Sequence, residues 1–108
     1  MESKAFKPII ILTTTDNESD AKRLASVLVE EKLAACVSYH AIDSVYRWQN
    51  EIKETKEFQL VAKCNGALTE RVTERIKVLH NYDVPEILVL SVSKGDYRYL
   101  DWMKTQLL

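Results

Sequence analysis

Residues 35–64 read ACVSYHAIDSVYRWQNEIKETKEFQLVAKC, and the period of this stretch decides the fold. From residue 35 to 48 no helical spacing is present, and Val37, Tyr39, Val45, Tyr46 and Trp48 supply the β-branched and aromatic side chains that strands favour. Gln49-Asn50-Glu51 is a polar break. Beyond it Phe58, Leu60, Ala62 and Cys64 alternate with Glu57, Gln59, Val61 and Lys63, so the whole stretch predicts one long hairpin. The alternation slips at residues 41–43, which predicts a bulge there, since one extra residue resets the face of every later side chain.

The segments on either side fit around that hairpin. Residues 6–15 carry the run Ile9-Ile10-Ile11-Leu12, short and β-branched, which predicts a strand buried on both faces. Thr15 to Glu18 matches a capping box, and Ala21, Leu24, Ala25 and Leu28 follow at helical spacing, predicting a helix over about 17–33. After Asn65-Gly66, Leu68, Val72, Ile76 and Leu79 mark a second helix over about 67–80. Asn81 and Pro85 close it before a buried strand over 87–92, and Leu100, Met103 and Leu107 predict a short C-terminal helix.

The order βαβ-βαβ with an appended helix is that of an α+β, ferredoxin-like (split βαβ) antiparallel sheet with both long helices on one face. With 108 residues, the chain is expected to form one domain over residues 1–108. Fourteen strand residues at about 3.3 Å each reach roughly 46 Å, whereas a compact chain of this length spans only about 34 Å. The hairpin therefore overhangs its own body and would leave Tyr46 and Trp48 wetted unless another surface covers them. A homo-oligomer joined through hairpin edges is expected. A bent hairpin in a monomer is the plainer alternative.

Composition narrows the function. Hydrophobic residues at 46% and charged residues at 29% describe a folding chain, and a net charge of −1 without long single-sign blocks lacks the footprint of a nucleic-acid binder or a polybasic membrane anchor. No apolar run approaches the 18 to 20 or so residues of a membrane span, and 9–12 is too short for a secretory signal core, so a cytoplasmic location is expected. The turn Thr13-Thr14-Thr15-Asp16-Asn17 holds neither glycine nor lysine, which excludes the common phosphate-binding loops. Cys36 and Cys64 form no Cys-x-x-Cys pair and read as free thiols. A Cys36 nucleophile served by His40 or His80 is the only nameable enzymatic option, and a simple core cysteine is the better reading, so no enzymatic activity is expected. His80, in the last turn of a helix, is either a capping imidazole or a metal ligand.

Ala34-Ala35-Cys36-Val37, Tyr46-x-Trp48, Glu57, Lys63, His80-x-Tyr82-x-x-Pro85-Glu86 and Tyr99-Leu100-x-Trp102 occur in this order, and together they resemble the CutA divalent-cation-tolerance family over nearly the whole chain. The resemblance implies a ferredoxin-like subunit assembling as a homotrimer through strand edges, with no enzymatic activity and a link to copper and other divalent cations. Carried over by position, it implies His80, Glu57 and Cys36 as metal ligands, with Trp48, Lys63 and Tyr82 lining a cleft near a subunit boundary. It departs from the family pattern at Thr13, Leu79, Asn81 and the tip Gln49-Asn50, where some members have cysteine, histidine, proline and glycine. Losing a thiolate and an imidazole leaves a site of low selectivity.

Two functions follow as expectations. In the first, a trimer binds Cu(2+) or another divalent ion at His80 with Glu57 and Cys36. In the second, a trimeric signalling module takes a small anionic ligand anchored by Lys63, and metal binding is incidental.

Overall fold

Pro8–Thr15 forms the strand β1, and its alternating burial shows how the sheet is covered: Ile9, Ile11 and Thr13 are buried beneath the helices, while Ile10 and Leu12 are only partly covered. A computed structural model describes residues 5–108. Around β1 lie the helix α1 (Glu18–Glu30), the hairpin strands β2 (Cys36–Trp48) and β3 (Glu51–Asn65), the helix α2 (Thr69–Leu79), the strand β4 (Leu88–Ser91) and the helix α3 (Tyr97–Gln106). The strands pair antiparallel in the order β2-β3-β1-β4, the arrangement expected of a split βαβ pattern. Leu24 and Leu28 of α1 and Val72 and Ile76 of α2 pack with Ile9, Ile11, Leu60, Ala62 and Cys64 in one core.

Local chemistry explains the ends of these elements. Asn17 caps α1 by accepting from the Asp20 amide, so the cap is Asn17 and not the Thr15 of the expected capping box; the Thr15 hydroxyl instead donates to the Asn17 carbonyl. α1 stops at Glu30, three residues early, because Lys32 takes a left-handed conformation with φ of 60°. At the start of α2, a 3-10 turn over Gly66–Leu68 delays the helix by two residues. Gly66 donates to the Lys7 carbonyl at 2.6 Å, and a Cβ there would lie 3.1 Å from Ile9 Cγ2, so β1 and this turn approach too closely for a larger residue.

Three sequence expectations are corrected. β2 and β3 pair without interruption from Cys36↔Lys63 to Trp48↔Glu51, so there is no bulge at residues 41–43. The alternation slips there because β1 ends opposite Phe58: beyond that point the hairpin has no core beneath it, and neither face selects apolar side chains. β1 is fully buried on its helix face, while on the other face only Thr14 is buried and Ile10 and Leu12 are partly covered; all four residues of β4 are exposed, because α1 and α2 cover one side of the sheet and β4 is its edge.

Thr13 is fully buried, and its hydroxyl is the one buried side-chain polar atom without a partner among the described residues. Thr13→Val should therefore raise stability by about 1 kcal/mol, since it removes an unsatisfied hydroxyl at nearly constant volume. An unchanged or lower denaturant midpoint would show that the hydroxyl is satisfied. Burial also pushes the Cys64 thiol up from 9.0 to about 12. Between these values the unfolded chain has lost a proton that the folded chain keeps, so this contribution is complete below pH 9 and fades as pH rises toward 12. Denaturation at pH 8 and pH 11 should show a drop on the order of a few kcal/mol that is smaller in Cys64→Ala.

Candidate functional site

Because β1 ends opposite Phe58, residues 42–48 and 51–57 form a two-stranded arm that stretches the chain to 54 × 25 × 21 Å. The arm reverses at Gln49 and Asn50, with φ of 50° and 66°, the paired left-handed conformations of a type I′ hairpin. The uninterrupted register puts Ile42, Ser44, Tyr46 and Trp48 on the same face as Glu57, since opposed residues share a face and side chains alternate.

The segment after α2 lies alongside this face. The Tyr82 hydroxyl donates to Glu57 Oε2 at 2.9 Å, and burial first, then the Glu57 hydrogen bond and charge, push the phenol well above its ordinary value of 10.0. Tyr82 is thus a fixed donor. His80 sets that segment: its Nδ1 accepts from the Tyr82 amide at 3.0 Å, which leaves Nε2 to carry the proton it donates to the Thr14 carbonyl. The imidazole also packs against the Tyr82 ring, 4.7 Å between centroids and tilted by 59°. His80 therefore does not cap the carbonyls of its own helix; it clamps the end of β1 to the segment that follows α2. Either nitrogen must give up a backbone partner before it can bind a metal.

Arm and segment border a groove of about 560 Å³ lined by Tyr46, Trp48, Glu57, Tyr82, Asp83 and Glu86, with Thr14, Ser44, Val45 and Val84 at its margins. Glu57 is only 9% exposed, yet no basic side chain lies within 4.0 Å of it among the described residues.

Of the residues singled out from the sequence, the structure brings together Glu57, Trp48 and Tyr82, with His80 behind them. It separates Cys36 and Lys63. These two oppose each other at the far end of the hairpin, with Lys63 Nζ 3.9 Å from Cys36 Sγ and 5.8 Å from the centre of the Tyr99 ring. Lys63 is six residues from Glu57 along β3, roughly 20 Å. Cys36 therefore cannot join His80 and Glu57 around one ion within a chain, and Lys63 does not line the groove. Among the described residues no three His, Cys, Asp or Glu side chains are grouped to hold a metal ion. Sequence reasoning did not assign Thr14, Tyr46, Asp83 or Glu86 to the cleft. The period-two relation of Tyr46 to Trp48 was the available signal; the placing of Asp83 and Glu86 depends on the His80 clamp.

Among the described residues no helix is long and apolar enough to cross a membrane. The family model described as CutA1 divalent ion tolerance protein matches residues 9–106. The chain is 42% identical to the divalent-cation tolerance protein CutA of Thermus thermophilus, over 88% of this chain and 93% of that protein. It is 39% identical to a chloroplastic CutA protein of Arabidopsis thaliana, over 94% of this chain and 57% of the plant protein, so it spans little more than half of that relative. Among solved structures, CutA1 from Oryza sativa superposes with a TM-score of 0.93 at 36% identity, covering 98% of each chain. With the family model spanning nearly all of the sheet and its helices, and relatives this similar, the chain belongs to the CutA1 divalent ion tolerance family.

Proposed function

We propose that the chain acts without enzymatic activity, as a cytoplasmic homotrimer, in tolerance of divalent cations, and that it binds such a cation, copper included, between copies. One observation carries this reading: the arm and the sheet edge leave apolar surface uncovered at opposite ends of the sheet. Val45 and Ile52 on the arm are 65% and 61% exposed, and Leu88, Val89 and Leu90 lie along the free edge of β4. An open edge of apolar strand invites another chain. The same geometry supports a shared ion site. Glu57 and His80 are on one part of the chain and Cys36 is roughly 20 Å along the hairpin, so these candidate ligands converge only if different copies supply them. The anionic-ligand alternative is the weaker one, because the groove is lined by carboxylates and Lys63 lies outside it.

Light scattering of the purified chain at micromolar concentration should give three times the chain mass. Calorimetric titration with copper should give saturable binding that weakens at least tenfold in His80→Ala and in Cys36→Ser. Leu90→Lys, which charges the open edge, should reduce assembly and metal affinity together. A single-chain species that binds copper as tightly as the wild type would remove the shared site.

A further inference from the structure

We infer that the groove between the arm and segment 81–87 is a binding site for a primary alkylammonium cation, held by the Glu57 carboxylate against the rings of Tyr46, Trp48 and Tyr82. This goes beyond the divalent-cation reading: it shares Glu57 with that reading but needs neither a metal nor a ligand from a second copy.

Glu57 lines the groove from the arm. The residue is nine-tenths buried, and the one hydrogen bond to its carboxylate among the described residues is from the Tyr82 hydroxyl to Oε2. An ionised carboxylate accepts about four hydrogen bonds, and burying one without a counter-charge is costly. Oε1 has no hydrogen-bond partner among the described residues, and Glu57 lines the cavity. A cation carrying N–H donors fits that vacancy in charge and in hydrogen bonding.

The walls select the kind of cation. Three aromatic rings line the groove, and the negative faces of such rings attract an ammonium group while their bodies pack against methylenes. A bare divalent ion would need several oxygen, nitrogen or sulfur ligands at short range, and no such group is assembled here. Asp83 and Glu86 add further negative charge, Thr14 and Ser44 are polar, and among the described residues no lysine, arginine or histidine lines the groove. The volume of about 560 Å³ lies within the range of small-ligand sites and exceeds what a single ion requires. A quaternary ammonium would satisfy the rings but donate nothing to Glu57, which is why a primary one is assigned.

The test is calorimetric titration of the full, assembled chain, stripped of metal by prior dialysis against a chelator, with 1,4-diaminobutane as the probe. Saturable binding is expected, together with no detectable binding of the neutral 1,4-butanediol and weaker binding of tetramethylammonium. Glu57→Gln should weaken the diamine at least tenfold, and Trp48→Leu, on the partly exposed arm, severalfold. Diol or tetramethylammonium binding as tightly as the diamine overturns the inference, as do unchanged affinities in folded variants. If Glu57→Gln does not fold, Trp48→Leu alone decides. Copper binding without diamine binding rejects this inference and leaves the shared metal site; diamine binding without copper binding does the reverse.

Discussion

The unbroken register of β2 against β3 is the constraint on which the rest of the structure depends. Thirteen consecutive pairs, from Cys36↔Lys63 to Trp48↔Glu51, fix the face of every side chain on the arm. A slip of one residue would turn Tyr46, Trp48 and Ser44 away from Glu57 and dissolve the groove. The register is pinned at both ends. At the tip, Gln49 and Asn50 accept left-handed conformations in a two-residue turn, which permits only one pairing of the flanking strands. At the base, Leu60, Ala62 and Cys64 are buried against the helices, so β3 cannot shift without exposing them. The core thus positions chemistry well beyond its own edge.

A second constraint joins the arm to the body. His80 uses one ring nitrogen on the Thr14 carbonyl of β1 and the other on the Tyr82 amide, and Tyr82 then reaches Glu57. Three parts of the chain meet through one imidazole and one phenol. Both rings are half-buried, and the hydrogen bonds run in a defined direction because the phenol stays protonated. The unit orients a carboxylate without neutralising it. An arginine or lysine in the place of Tyr82 would have supplied a counter-charge from within the chain.

How much of this was legible in the sequence depends on how local each signal is. The hairpin, the helix faces and the strand order were legible because Phe58, Leu60, Ala62 and Cys64 keep a period of two and Ala21, Leu24, Ala25 and Leu28 a period near 3.6. The bulge was misread because alternation reports register only where one face is buried, and residues 43–48 lie beyond the core. Burial of β4 was misread for a related reason: an apolar run such as Leu88-Val89-Leu90 looks the same whether the covering surface belongs to its own chain or to another. At the site, the family resemblance set Glu57 with His80 and Cys36 as metal ligands and Trp48 and Tyr82 with Lys63 as a cleft, whereas the fold puts Glu57, Trp48 and Tyr82 on one groove. Residue order does not show that roughly 20 Å of straight strand separates Cys36 and Lys63 from Glu57, and it left His80 open between a helix cap and a metal ligand because the partner of its ring, the Thr14 carbonyl, is 66 residues away.

The arm also couples order to company. A two-stranded ribbon without a third strand or a packed helix is marginal in water, and this one continues for about seven residue pairs past the last pair that β1 supports. Its exposed Lys53–Glu51 and Lys56–Asp43 ion pairs contribute little in solvent. Tyr46 and Trp48 gain cover from segment 81–87 on one side, but Val45 and Ile52 gain none. Under the proposed assembly a neighbouring copy supplies that cover, so the surface that stiffens the arm also holds the aromatic rings of the groove in place. Binding in the groove and association of copies then draw on the same ordering of the arm: whichever happens first meets its entropy cost and lowers it for the other. Such coupling runs equally in both directions, so a protein built this way would bind its cation more tightly when assembled and assemble more firmly when the cation is present.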